Sequence, residues 1–174
     1  GFFTDTTLCI GCKACEVACK QWNGVKMDGL ELSGFSYDNT VRLGAQTWRH
    51  VAFVEQPVPL TVGGPAQRWL MLSDVCKHCT HAGCLDACPT GALMRTEFDT
   101  VVVQHDVCNG CGYCVPSCPF GVIEVDLHSS GIAQKCTLCY DRLRDGLEPA
   151  CAKACPTDSI IFGPMDALLE QAQG

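Results

Sequence analysis

The sequence predicts a small α+β fold made of two similarly built, cysteine-rich units, with a β-hairpin inserted in the chain. Two observations support this prediction. The 174 residues contain sixteen cysteines, and these form four motifs of four with none left over. Residues 24–75 contain no cysteine, but two stretches rich in aromatic and β-branched residues, 47–55 and 69–72, flank a turn at Gly63-Gly64-Pro65. These stretches predict the two strands of the hairpin.

The cysteine motifs have a spacing that suits metal ligands. In chain order they are Cys9, Cys12, Cys15, Cys19; Cys76, Cys79, Cys84, Cys88; Cys108, Cys111, Cys114, Cys118; and Cys136, Cys139, Cys151, Cys155. The first and third read C-x2-C-x2-C-x3-C, and every motif except the first ends in Cys-Pro. Bacterial-type ferredoxins bind 4Fe–4S clusters with this spacing. Sixteen thiolates at four per cluster predict four 4Fe–4S clusters, and therefore a carrier of single electrons.

Three other interpretations of the cysteines are less favourable. A disulfide scaffold does not require repeated C-x2-C-x2-C-x3-C-P blocks. Structural zinc explains pairs of C-x2-C, but not the third and fourth cysteines at fixed steps. A lost cluster, or a 3Fe–4S cluster, would normally leave a cysteine missing, and all sixteen are present.

The spacing also predicts how the motifs combine. Three cysteines of a motif reach one cluster and the fourth reaches its neighbour, so two motifs make one unit. The 19 residues between Cys88 and Cys108 include two short strand patterns, at 91–93 and 101–103. The second and third motifs are therefore expected to form one unit, and the first and fourth a split unit related to it by a pseudo-two-fold axis. Pairing the first motif with the second, and the third with the fourth, stays open.

This pairing predicts the domain boundaries. The split unit comprises 1–23 and 127–163, the insertion 24–72, the second unit 73–126, and a C-terminal helix 164–174 that begins at Pro164. Short helical turns are expected at 13–20 and 112–118. The polar stretch between Cys139 and Cys151 is expected to be a surface loop or helix that faces a partner.

Charge and hydropathy restrict the function further. The formal net charge is −7, and four oxidised clusters would add roughly −8. The sequence has no stripe of basic residues that could neutralise phosphates, so we expect no nucleic-acid partner. The sequence shows no signal-peptide pattern and no run of about 20 apolar residues. We expect a cytoplasmic or peripherally membrane-associated chain.

For some other residues a functional role is conceivable, but a structural role is the simpler expectation. His78 and His81 flank Cys79, but the cysteine ligands are already complete, so a surface or hydrogen-bonding role is expected. The three tryptophans are expected to serve packing. The pair Arg142 and Arg144 could contact a partner or face solvent.

Three stretches carry a family resemblance. They are Cys9-Ile10-Gly11-Cys12-Lys13-Ala14-Cys15 with Trp22-Asn23, then Cys108-Asn109-Gly110-Cys111-Gly112-Tyr113-Cys114, and Lys135-Cys136-Thr137-Leu138-Cys139 with the residues up to Thr157. With these motifs the chain resembles the iron–sulfur (beta) subunits of the molybdopterin oxidoreductase superfamily, and among them most closely those of formate dehydrogenases. Respiratory members continue past the last motif into a further segment and a membrane helix, so we do not expect a quinone-linked anchor here.

The resemblance implies four ligand sets. The first set is Cys9, Cys12, Cys15 and Cys155; the second is Cys19, Cys136, Cys139 and Cys151; the third is Cys76, Cys79, Cys84 and Cys118; the fourth is Cys88, Cys108, Cys111 and Cys114. It also implies a molybdopterin-containing catalytic subunit as partner, with a membrane or other redox-acceptor subunit as a further one. Because every iron corner has a thiolate, the chain alone is expected to relay electrons without catalysis. The alternatives are the same relay in a polysulfide, sulfoxide or nitrite-type reductase, or a free polyferredoxin.

Overall fold

The computed structural model describes residues 1–27, 32, 34, 37–57 and 67–173, and the predicted turn at 63–65 lies outside them. The described residues form short elements only. In chain order these are β1 (Phe2–Thr4), α1 (Ala14–Asn23), β2 (Arg49–Pro57), β3 (Gln67–Val75), α2 (Gly83–Asp86), β4 (Leu93–Arg95), β5 (Val101–Val103), β6 (Glu124–Val125), β7 (Ala133–Gln134), α3 (Tyr140–Arg144), α4 (Ala150–Lys153), β8 (Ile160–Phe162) and α5 (Met165–Gln173). The predicted strand at 101–103 and the C-terminal helix are present, whereas the strand predicted at 91–93 lies at Leu93–Arg95. Residues 112–118 form hydrogen-bonded turns, without a helix.

Pairing of β1 with β8 brings the two ends of the described chain together. The strands are antiparallel, with Phe2 opposite Phe162. The terminal amino group of Gly1 donates a hydrogen bond to the carbonyl of Gly163 at 2.7 Å. Helices α1 and α4 pack against each other in the same region. As a result the first and fourth cysteine motifs lie side by side, although most of the chain separates them in sequence.

The β1–β8 and β4–β5 sheets are built on the same local plan. In each antiparallel sheet, one strand ends five residues before a C-x2-C motif, and the other begins five residues after the cysteine of a Cys-Pro-Thr sequence. The matching positions are Thr4 and Cys9, Val103 and Cys108, Cys88 and Leu93, and Cys155 and Ile160. Each sheet therefore supports two motifs through connections of equal length.

Strands β2 and β3 form the largest sheet and cover the first motif. They pair antiparallel from Arg49 opposite Val75 to Pro57 opposite Gln67. β2 is thus shifted by two residues from the predicted stretch 47–55, and β3 extends beyond the predicted stretch 69–72 at both ends. Side chains alternate between the two faces of a strand, which puts Arg49, Val51 and Phe53 on one face. A Cβ at Gly11 would lie only 2.8 Å from the Phe53 ring. The insertion therefore packs directly against the first cysteine loop.

The short β6–β7 pair crosses the predicted boundary between residues 126 and 127. Val125 lies opposite Ala133, and Ala133 is buried in one apolar cluster with Leu93 and Val101. The chain up to residue 134 thus packs with the central unit, because this core needs an apolar side chain from β7.

Much of the interior consists of cysteine. Three apolar clusters form the described core, and buried cysteines belong to each of them. Aliphatic side chains such as Val51, Val101 and Ile123 fill the remaining space at 1–2% exposure. None of the helices in the described part of the chain has the length and apolar character that crossing a bilayer requires.

Candidate iron–sulfur centres

Three of the four implied ligand sets each line a separate cavity. The four cysteines of the first set line one cavity with Val51 and Ser73. Those of the third set line a second with Val101 and Lys135. Those of the fourth set line a third with Leu93 and Ala133. The fold therefore brings each of these sets together from two different motifs.

The cysteines of the second set meet where α1 packs against α4. Cys19 lies on α1 and Cys151 on α4, and all four thiols of the set are buried. The side-chain amide of Asn23 lies 3.8 Å from the sulfur of Cys19 and 4.0 Å from that of Cys139. These contacts link the end of α1 to the fourth motif.

Neighbouring sets share apolar clusters, and this arranges the four sets in a row. Cys15 of the first set and Cys151 of the second are buried in one cluster. Cys136 of the second set and Cys76 of the third are buried in another. The third cluster contains cysteines of the third and fourth sets. The order along the row is first, second, third, fourth.

The C-x2-C loops of all four motifs share a backbone feature. The second residue after the first cysteine has a left-handed conformation in each, with φ of 66° at Gly11, 46° at His78, 72° at Gly110 and 58° at Leu138. Alternation of left- and right-handed residues turns successive N–H groups toward one point and forms the concave anion sites found around iron–sulfur clusters. In the fourth motif the N–H of Leu138 donates to the sulfur of Cys136 at 3.3 Å. The loops are thus shaped for an anionic cluster.

Burial dominates the electrostatics of the inner thiols. It raises the pKa of Cys15 and of Cys114 to about 11, and that of Cys136 to about 12. A thiolate is nevertheless the form that binds metal. Buried thiolates at these positions need positive charge beside them, which iron supplies.

The thiols of Cys88 and Cys155 have a different environment. Burial acts to raise the pKa of both, but backbone N–H groups and a threonine hydroxyl outweigh it, so each pKa is lowered. The hydroxyls belong to Thr90, 3.6 Å from the Cys88 sulfur, and to Thr157, 3.9 Å from the Cys155 sulfur. Both cysteines occur in Cys-Pro-Thr sequences, and both are held as good anionic ligands.

The donor set at these sites suits clusters. All sixteen cysteines are free thiols. Four cysteines line each of the three cavities. This donor set fits 4Fe–4S clusters, whose iron atoms take four cysteine thiolates.

Comparison with known proteins agrees with this chemistry. Two family models, both described as a 4Fe–4S dicluster domain, match residues 8–92 and 67–165. The chain belongs to the 4Fe–4S dicluster family.

Curated relatives of the chain include subunits of two kinds of enzyme. The chain is 41% identical over 170 residues to the iron–sulfur subunit of the nitrate-inducible formate dehydrogenase of Escherichia coli. The matched region covers 97% of the chain and 55% of the relative. It is 41% identical over 165 residues to the formate dehydrogenase iron–sulfur subunit of Haemophilus influenzae, covering 94% and 51%. It is 35% identical over 175 residues to the B subunit of the anaerobic dimethyl sulfoxide reductase of Escherichia coli, covering 97% and 75%. The chain thus spans about half the length of the formate dehydrogenase relatives, and the predicted resemblance is confirmed.

Two buried cations of this dicluster protein escaped prediction from the sequence. Arg49 is 1% exposed and Lys135 is 2% exposed. Lys135 donates hydrogen bonds to the carbonyls of Val101 at 2.5 Å and Cys136 at 2.7 Å. Arg49 donates to the Ser73 hydroxyl at 2.6 Å, but its Nε and Nη2 atoms have no partner among the described residues. Arg49 shares one face of β2 with the apolar Val51 and Phe53, and this pattern could have indicated that Arg49 faces inward.

The histidines and tryptophans have mainly structural contacts. His78 accepts a hydrogen bond from the Val101 N–H at 3.0 Å, whereas His81 is exposed. Burial lowers the pKa of His78 to about 2, so its ring is neutral. Trp48 belongs to the core. The contacts of His78 and Trp48 agree with the predicted hydrogen-bonding and packing roles, whereas Trp22 and Trp69 are exposed.

The polar stretch between Cys139 and Cys151 contains helix α3, whose side chains contact α1. The guanidinium of Arg142 lies 4.3 Å from the centre of the Trp22 ring. The Trp22 indole N–H donates to Asp141 at 2.7 Å. Part of this predicted partner-facing surface therefore serves an internal contact.

Proposed function

We propose that this chain relays electrons, one at a time, through four 4Fe–4S clusters held by the four ligand sets. The observation that carries the proposal is the row of sixteen free thiols, in which each set of four adjoins the next. A 4Fe–4S cluster, when bound, accepts and donates single electrons at a potential that its surroundings tune. With four thiolates per cluster, no iron corner is left for a substrate, so the chain itself conducts without catalysis.

Exposure of the cysteines suggests where electrons arrive and leave. Cys12 and Cys111 are exposed, and they belong to the first and fourth sets, at the two ends of the row. The second set is buried throughout. The protein thus buries the cysteines of the second set most deeply and leaves one cysteine exposed at each end of the row, where partners can approach.

We assign the chain to two units related by a pseudo-two-fold axis, each binding two clusters. The equal strand-to-motif lengths of the β1–β8 and β4–β5 sheets support this relation, as do the matching hydrogen bonds around Cys88 and Cys155. The split unit comprises 1–23 and about 135–163, and the central unit follows the hairpin. The central unit extends to residue 134 because β7 packs into its core.

The proposed partner is the molybdenum- or tungsten-pterin subunit of a formate dehydrogenase, with a separate downstream acceptor. Identity of 41% to formate dehydrogenase iron–sulfur subunits supports this choice. The relay in a sulfoxide reductase is the second candidate, because the B subunit of the dimethyl sulfoxide reductase is matched over 75% of its length. We place the protein in the cytoplasm or peripherally at a membrane, within the assembled complex.

Purification of the native complex tests these proposals. We expect about sixteen iron atoms per chain, four for each ligand set, and a pterin-containing partner that reduces a dye when formate is added. Reduction of dimethyl sulfoxide without formate oxidation would favour the second candidate. A chain purified with zinc and no iron would refute the relay itself, and an iron-loaded chain without a partner would refute the assignment to a complex.

A further inference from the structure

The most unusual residue outside the cysteines is Arg49 at the start of β2. A guanidinium remains charged at every pH that proteins tolerate. Burial of a charge is very unfavourable unless an opposite charge and hydrogen bonds compensate it. Arg49 is nevertheless buried, and it makes no ion pair with any carboxylate in the described part of the chain. Something else in the protein must compensate this cation.

The contacts of Arg49 lead to the first ligand set. Its Nη1 donates to the Ser73 hydroxyl at 2.6 Å, and that hydroxyl lies 3.8 Å from the sulfur of Cys15. Ser73 also lines the cavity that the four cysteines of this set surround. The cation therefore lies beside the first set.

The other cation at the same cavity does not compete for this role. Lys13 lines the cavity of the first set. Its ammonium lies 3.0 Å from an oxygen of Asp38 and 3.3 Å from one of Glu16. Its charge is thus already balanced by carboxylates, whereas that of Arg49 is not.

We propose that Arg49 is the built-in counter-charge of the first ligand set and raises the reduction potential of the cluster held there. This inference rests on the proposed function, because it presupposes a cluster bound by Cys9, Cys12, Cys15 and Cys155. An added electron makes this site one unit more negative. A buried cation stabilises the added charge strongly, because the interior screens it little. The Nε and Nη2 atoms of this cation have no hydrogen-bond partner among the described residues, so protein acceptors do not compensate its charge.

A purely structural role makes a different prediction. The guanidinium also lies 4.6 Å from the centre of the Phe2 ring, so Arg49 could simply join β1 to the hairpin. Arg49→Gln removes the charge but keeps side-chain hydrogen bonding, and Arg49→Lys keeps the charge without the planar fork. Arg68 lies exposed on β3 of the same hairpin, so Arg68→Gln is a matched control for the loss of one positive charge.

The experiment is a potentiometric titration of the iron-loaded full chain, followed by electron paramagnetic resonance. The signal of the first set is identified as the one that Cys12→Ser perturbs. In Arg49→Gln we expect the reduced state of this set to become at least tenfold less favoured, a fall in potential of about 59 mV for one electron. In Arg49→Lys most of the potential should remain, and in Arg68→Gln it should not change. The shift in Arg49→Gln should persist at high salt, because a buried pair is poorly screened.

An unchanged potential in fully loaded Arg49→Gln would overturn the inference and leave the proposed function intact. An equal shift in Arg68→Gln would also overturn it, because any lost positive charge would then suffice. If Arg49→Gln fails to retain the first cluster, retention in Arg49→Lys supports a role of the charge, and loss in both variants shows a packing role and overturns the inference. Absence of clusters from the wild-type chain would refute the proposed function itself.

Discussion

Substitution of Gly110 by alanine tests whether the cysteine loops depend on close backbone approach. Gly110 has a φ of +72°, and a Cβ on it would overlap the carbonyl oxygen of Gly131. A left-handed conformation costs an L-residue roughly 1–2 kcal/mol. Overpacking adds roughly 1–3 kcal/mol, because a backbone atom must move. We expect Gly110→Ala to destabilise the loaded protein by roughly 2–5 kcal/mol in total.

A second glycine of the same motif separates these two costs. Gly112 has a φ of +77°, and a Cβ on it would lie 3.8 Å from its nearest neighbour, a Val125 methyl group, which is an ordinary contact. Gly112→Ala should therefore show the backbone cost alone. The difference between the two variants measures the contact with Gly131.

The assay is the rate of iron release from the full chain in denaturant, followed by loss of visible absorbance. If the strain is relieved before iron is released, each 1.36 kcal/mol accelerates release about tenfold. Gly112→Ala should thus release iron roughly 5–30 times faster than the wild type, and Gly110→Ala at least about five times faster again. Equal rates in the two variants would refute the argument, because the approach of Gly131 would then impose no constraint.

Three other outcomes are expected. Cys155→Ser should perturb the cluster held by the first motif, because Cys155 lines that cavity. Changes in electron paramagnetic resonance confined to the cluster held by the other three cysteines of the fourth motif would contradict the assigned ligand sets. Lys135→Met should lower thermal stability more than Lys153→Met, since it leaves two carbonyls without their donor at about 1–3 kcal/mol each; similar melting temperatures would show that the buried ammonium is dispensable. Chelation of the iron should lower the melting temperature in circular dichroism, because buried cysteines belong to every described core cluster; an apo chain that melts with the loaded one would contradict this.

The sequence predicts the ligand chemistry well because cluster binding constrains residue type and spacing together. Four thiolates per cluster leave little freedom, so the count of sixteen cysteines and the C-x2-C steps are informative without a structure. Strand β5 also follows from its β-branched run, whereas β4 lies two residues beyond the predicted stretch 91–93, and β1 and β8 escaped prediction. The common left-handed turn is harder to predict, because glycine marks it at Gly11 and Gly110 but His78 and Leu138 adopt it too.

The partners of the buried cations could not be predicted because they come from distant parts of the chain. Arg49 is an ordinary strand residue in sequence, and its burial depends on Ser73 across the β2–β3 register and on Phe2 in β1. Lys135 is buried because the carbonyl of Val101 accepts from it. Tertiary contacts of this kind leave no local pattern, whereas a metal-binding motif does.

The β2–β3 sheet gives the first and fourth ligand sets different electrostatic surroundings. At the outer ends of the row, Cys88 and Cys155 receive matching N–H and hydroxyl hydrogen bonds, so these bonds alone would give the two sets similar surroundings. The β2–β3 sheet adds Arg49 near the first set. No arginine or lysine lies among the described residues that line the cavity of the fourth set. A difference in potential between the two ends of the row would therefore come mainly from Arg49. The potential would be higher at the first set, so the reduced state would be more favourable at the end that the β2–β3 sheet covers.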